Sequence, residues 1–250
     1  MLADIWTVFW RDWLVLRRRL VKFILSRLVA PLLYLFAFGW GLGRSVDSQA
    51  LSGAAVSYLE FLVPGILALN SMNLSFASVI PVHAERVYHK SLEEYLTAPI
   101  HPAAFVSGKV LAAVVRSMIS SCVILSLAYL GGVSLSLGWL FAVALLINSV
   151  IFAELGFWAA MLLDTYEEVG QVNTYILLPM SFLCGTFFSL QTMPDWLAAL
   201  LELLPLSHTS ALLRSLALEQ TCEPLSFLVL FIYVLLGFVL ALRAYKHLAD

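Results

Sequence analysis

Two side chains that belong in water stand inside apolar runs of this chain: Arg116 and Glu154. A lone charge at the centre of a bilayer costs roughly 2.5–3.5 kcal/mol on insertion scales, so such groups face a partner or a cavity. The two lie at similar depth on consecutive runs, where adjacent antiparallel spans could pair them. Such a pair either fixes helix register or belongs to a substrate or proton path. Asn70, Asn73 and Asn148 share those apolar surroundings. They read as hydrogen-bonding residues between helices rather than as ligand sites.

A second polar set fills the connection that begins His83-Ala84-Glu85-Arg86 and continues Ser91-Leu92-Glu93-Glu94-Tyr95-Leu96-Thr97-Ala98-Pro99. Ser91 with Glu94 three residues later has capping-box spacing and predicts a short helix over 91–98, stopped before Pro99. With charges at one end and Leu92, Tyr95 and Leu96 to insert, that helix suits docking into the groove of a partner. An ordinary capped surface helix satisfies the same spacing. Asp164, Glu167 and Glu168 occupy another short connection, which reads as a solvated loop.

Much familiar chemistry is missing. Gly108-Lys109-Val110 lacks the upstream glycine and the hydroxyl residue of a phosphate-binding loop, so ATP is not expected on this chain by that route. His83, His89 and His101 do not have metal-ligand spacing, and three cysteines define no disulfide framework. Neither a catalytic residue nor a metal is expected, and no cofactor.

The elements that position these residues follow from composition. Hydrophobic residues make up 62% and charged residues 12%, and mean hydropathy is +0.94. Soluble domains carry about twice that charge; here the bilayer is the solvent. The net charge of −2 does not suggest a nucleic-acid partner.

Residues 4–23 read as one amphipathic helix on the membrane surface. Ile5, Trp6, Phe9, Trp10, Trp13, Leu14, Leu16, Leu20 and Phe23 share one face, with Arg11, Arg18, Arg19 and Lys22 opposite. With its long basic region it is not read as a cleavable signal. Six membrane helices are then expected over 25–43, 58–81, 103–130, 137–163, 172–190 and 225–244. Basic residues concentrate before the first span, around the second-to-third connection and after the last, which predicts both termini in the cytoplasm. The stretch 194–218 carries Glu202, Pro205, His208 and Arg214 and is broken at Pro205. It reads as an external re-entrant helical hairpin between the fifth and sixth spans. The expected fold is thus an all-α integral membrane domain over 1–250.

Four segments resemble the membrane subunits of type-2 ABC exporters, especially the nodulation-factor and daunorubicin exporter permeases. They are Pro31-Leu32-Leu33-Tyr34-Leu35-Phe36 with Gly39-Trp40-Gly41-Leu42-Gly43, and Tyr58-Leu59-Glu60-Phe61-Leu62-Val63-Pro64-Gly65-Ile66. The third is Glu85-Arg86 with Leu92-Glu93-Glu94-Tyr95-Leu96-Thr97-Ala98-Pro99. The fourth runs from Phe187-Phe188 through Met193-Pro194 to Leu204-Pro205-Leu206-Ser207-His208 and Arg214. Ser189 and Gln191 depart from the Pro and Gly often found in that last segment.

The resemblance implies a bacterial inner-membrane homodimer, or a heterodimer with a sister permease, docked on two ABC ATPase subunits that hold ATP and Mg. Glu85, Arg86, Ser91, Leu92, Glu93, Glu94, Tyr95 and Leu96 would then couple to the ATPase. Trp196, Pro205, His208 and Arg214 would belong to an external gate. The cargo would be an amphipathic, lipid-like, glycolipid or drug molecule moved outward. A proton-coupled secondary transporter using Arg116 and Glu154 is the alternative; a membrane enzyme has no motif behind it.

Overall fold

The computed structural model describes residues 1–34, 37, 58–187, 193–218 and 224–248, and every regular element among them is helical. The first, α1 (Leu2–Arg18), is followed at Arg19 (φ −122°, ψ 16°) by α2 (Leu20–Tyr34). The single helix expected over 4–23 is therefore two. The inward stripe of α1 runs Ile5, Val8, Asp12, Leu16 at helical spacing, and its next position falls on Arg19, a hydrated cation that stays exposed. The helix breaks there. Trp6 and Trp10 point away from the protein, exposed by 57% and 41%. Arg11, expected on the outer basic face, is turned inward.

Helix α3 (Tyr58–Phe76) continues through α4 (Val79–His83) and a π-helical turn (Ala84–Tyr88), a nearly unbroken 31-residue rod. Short α5 (Ser91–Thr97) leads into α6 (Pro102–Leu130) and α7 (Trp139–Leu162). Next come α8 (Tyr166–Val172), a second π-helical turn (Asn173–Leu177) and α9 (Leu178–Leu183). The last helices are α10 (Asp195–Glu202), α11 (Pro205–Ala217) and α12 (Pro224–His247).

Helix α7 is the hub. It packs on α3, α4, α6, α11 and α12, while α1 lies along α6. Glycines permit two of these contacts. A Cβ at Gly156 would sit 2.7 Å from the Phe76 carbonyl oxygen, and one at Gly108 would sit 2.8 Å from the Val8 side chain. Leu62, Ile66, Met72, Phe105, Phe152, Phe157 and Leu206 fill the core between them.

Among the described residues, four helices are long and apolar enough to cross a membrane: Tyr58–Tyr88, Pro102–Leu130, Trp139–Leu162 and Leu225–His247. The bent pair α10–α11, folded by 94°, makes a fifth if counted as one span. The expected first span, 25–43, is described as helix only as far as Tyr34, and Gly39–Gly43 lies outside the described residues. The expected fifth span, 172–190, does not run on as helix: it ends at Leu183, and the chain bends through Gly185 at φ +72°. Carbonyls released by that bend are taken by α11, as described below. On α12 the outer face, including Leu225, Leu228, Phe231 and Leu235, is exposed by more than half. An apolar surface of that extent fits hydrocarbon rather than water.

Candidate functional site

Four charged side chains and a phenol meet where α1, the first π-helical turn, α5 and α6 converge. Lys109, about two turns inside α6, is 3% exposed at its side chain. Its Nζ lies 3.2 Å from Asp12 Oδ2 and 2.8 Å from Glu85 Oε2. Arg11 reaches the same carboxylates, at 3.3 Å from Asp12 and in close contact with Glu85, and donates to the Tyr95 hydroxyl. Two cations and two carboxylates balance, which is the condition for keeping charges half out of water. Burial weighs against the Arg11 cation, but Glu85 and Asp12 outweigh it and raise its pKa above the ordinary value. Burial also raises the Tyr95 phenol, against the pull of Arg11.

This knot ties α5 down from below. Tyr95 packs on Phe105 with ring centroids 4.9 Å apart, and Phe105 stacks on Tyr245 of α12 at 5.0 Å. Leu92 is 3% exposed. The apolar side of α5, expected to insert into a partner, instead faces the body of the same chain, because Phe105 and the core offer it a closer apolar surface. Glu93, Glu94 and Thr97 form its exposed side. The capping box is not formed either. Lys90 takes the N-cap position at φ 52°, and Ser91 is already the first helical residue, without a side-chain cap bond. The helix does end where expected, with Ala98 extended (ψ 150°) before Pro99.

Arg86, next to the knot, does something different. Its guanidinium donates to the Ala160 and Leu163 carbonyls, each at 2.9 Å, and pairs with Asp164. A cation on the last carbonyls of α7 satisfies acceptors the helix cannot and complements its dipole. Beside it, His83 is fully buried against the stacked rings of Tyr88 and Tyr166.

Inside the bundle, Arg116 and Glu154 do not form an ion pair. The Glu154 carboxylate lies against α12, where a Cβ at Gly237 would come within 2.6 Å of Oε2. Arg116 instead borders a groove against α1 and α2. The two face different neighbours because each helix presents a different side at that depth. Asn148 donates to the Ala68 carbonyl at 3.1 Å and to Ser71 at 2.7 Å, and Asn70 bonds Ser120 at 3.2 Å. Asn73 has no such bond and lines a cavity of about 420 Å³ beside Tyr166.

At the far end, Arg214 of α11 donates to the Gly185 carbonyl (2.7 Å) and the Phe61 carbonyl (3.3 Å), and lies 3.7 Å over the Phe61 ring. Ser210 bonds the Cys184 carbonyl at 2.7 Å. The bend at 184–187 is pressed onto α3, where a side chain on Gly65 would collide with the Thr186 carbonyl. Pro205 opens α11, and the His208 ring meets the Glu202 carbonyl at 2.8 Å across the break. Trp196 is 73% exposed.

Asp12 and Lys109 were not among the residues singled out from the sequence. Lys109 was read only in a failed phosphate-loop match and in the basic bias of its connection, and Asp12 was not read at all. A lysine about two turns into an apolar run was the available signal.

An arrangement of bundled membrane helices with a charge knot at one end and a clamped bend at the other can now be compared with known proteins. A family model described as ABC-2 type transporter matches residues 3–218. The chain belongs to the ABC-2 type transporter family. Nodulation protein J of Bradyrhizobium diazoefficiens is 27% identical over 253 residues, covering 97% of this chain and 93% of that protein. Nodulation protein J of Rhizobium meliloti is 28% identical, covering 85% and 81%. The inner membrane transport permease YadH of Escherichia coli K12 is 22% identical, covering 81% and 80%.

The match places both the knot and the clamp inside the ABC-2 unit, and with the apolar helices it makes this a multi-pass membrane transport protein.

Proposed function

We propose that this chain is the membrane-spanning permease subunit of an ATP-driven exporter, a single domain over 1–250. On this reading it works as two permease copies, homodimeric or paired with a sister chain, on two ABC ATPase subunits that hold the ATP and Mg. It lies in a bacterial inner membrane with six spans and both termini in the cytoplasm. It has no catalytic residue or cofactor of its own. Its cargo is an amphipathic, lipid-like molecule, a glycolipid or drug among them, moved outward between protomers.

The knot of Arg11, Asp12, Glu85, Tyr95 and Lys109 carries this reading. It joins the surface helix α1 and the coupling helix α5 to the rod ending at Tyr88 and to α6. Force applied to α5 by a moving ATPase therefore reaches two membrane helices through side chains held at both ends. Tyr95–Phe105–Tyr245 extends the contact to α12. Coupling of this sort is a two-state element whose equilibrium the nucleotide biases. Glu93 and Glu94, on the free side of α5, would meet the ATPase; α10–α11 and the bend held by Arg214 would close the outer end.

The secondary-transport alternative needs Arg116 and Glu154 as one relay, and the different neighbours of the two residues speak against it. The test is to pull the tagged full chain from its native cells in detergent and assay co-purifying ATPase. A stoichiometric ATPase, lost in an E93K/E94K variant that still folds, is the expected result. A chain that purifies alone and transports in ATP-free liposomes would overturn the reading.

A further inference from the structure

A groove of about 440 Å³ opens between the α1–α2 break, the rod around Ile80 and α6. Three cations border it: Arg19 and Lys22, both exposed, and Arg116, half-buried. No carboxylate is among its lining residues, and none of the three cations is in an ion pair with a described residue. Its remaining walls are largely apolar, with Phe23, Leu74 and Ile80 among them. Arg116 is two helical turns, about 10 Å, beyond Lys109 on α6.

The contrast with Lys109 is what demands an explanation. One cation of α6 is matched by two carboxylates, whereas the next along the same side of the bundle has none. An arginine inside a membrane helix is retained only where an anion or water meets it. Three converging cations in one apolar groove call for an anion attached to an apolar body. A free phosphate would gain nothing from Phe23, Leu74 and Ile80, and a zwitterionic headgroup brings its own cation.

We propose that this groove binds the phosphate headgroup of an anionic glycerophospholipid of the cytoplasmic leaflet. Arg19, Lys22 and Arg116 surround the phosphate, and an acyl chain follows Phe23, Leu74 and Ile80. The assignment rests on the membrane orientation given above, and its test needs no ATPase, so it stands or falls apart from the exporter reading.

The experiment is native mass spectrometry of the full detergent-solubilised chain titrated with dioleoyl phosphatidate or dioleoyl phosphatidylcholine. Phosphatidate should bind in preference. R116Q, and separately R19Q/K22Q at exposed positions that tolerate change, should each weaken it about tenfold, the loss expected for a charge-assisted hydrogen bond. R116K should retain most of the affinity, and phosphatidylcholine binding should not respond to any of these changes. Equal binding of the two lipids, unchanged phosphatidate affinity in both R116Q and R19Q/K22Q, or displacement by millimolar inorganic phosphate would overturn the proposal.

Discussion

The two ends of this helical bundle are held by opposite means. At one end, α1, the π-helical turn, α5 and α6 are joined side chain to side chain by balanced charges around Lys109. At the other, a single cation, Arg214, ties the Gly185 carbonyl of a bend to the Phe61 carbonyl of α3, on which glycine allows the bend to lie directly. Charged pairs can be exchanged or loosened as helices shift, because each group has alternative partners within the knot. A backbone clamp has one geometry. On the proposed reading, the difference suits an end that passes on motion and an end that keeps a fixed turn until it opens as a unit.

The comparison breaks most visibly at Lys109. K109M leaves Asp12 and Glu85 with Arg11 alone, and removing one partner of a buried ionic group typically costs about 3 kcal/mol or more. The SDS-unfolding midpoint of the solubilised chain should fall accordingly. K109M/D12N restores the charge balance and should lose much less than the sum of the single changes. Additive losses would show that the knot is a set of independent surface pairs.

Gly65 probes the other end with a smaller expected effect. A Cβ there meets the Thr186 main-chain carbonyl, which cannot move without moving the bend, whereas at Gly237 it meets the Glu154 side chain, which can rotate. Overpacking costs roughly 1–3 kcal/mol. G65A should therefore fall at the upper end of that range and G237A below it, by the same unfolding measurement. R214K follows at about 1–2 kcal/mol, since lysine keeps the charge but not the fork that spans two carbonyls. Its sharper readout is maleimide labelling of Cys184, fully buried under the clamp, in a background lacking Cys122 and Cys222. R214K should expose Cys184 while K109M leaves it shielded; the reverse pattern would show that the two ends are not separate devices.

How much of this could be read from residues alone differs between the ends. Helix type, the break before Pro205 and the stop before Pro99 were legible because proline acts on its own neighbours. Four of the six apolar runs were legible as helices long enough to span because the bilayer imposes length. The partners of Arg11, Arg86, Lys109 and Arg214 were not, because each is decided by which helices lie side by side. The same limit explains Arg116 and Glu154: similar depth on adjacent helices says nothing of rotation about the helix axis. Ser91 failed as a cap for a local reason, since Lys90 in the left-handed region starts the helix one residue earlier than the motif assumes.

The smallest effect sharpens the comparison from inside the knot. Tyr95 accepts a hydrogen bond from Arg11, and Y95F removes that bond but keeps the ring on Phe105, at a cost of about 0.5–1 kcal/mol. Burial raises the phenol above its ordinary value of 10.0. For an acid whose folded pKa is raised, the folded state holds the proton more tightly than the unfolded one, so the contribution is complete below the unfolded value and declines as pH climbs through the folded one. Between pH 6 and 9 the wild-type chain and Y95F should therefore differ by a constant amount. As pH climbs above 10.0 the wild type should lose stability that Y95F keeps, so the two curves converge. A difference that already changes between pH 6 and 9 would mean that the stability Tyr95 contributes is not governed by the buried phenol.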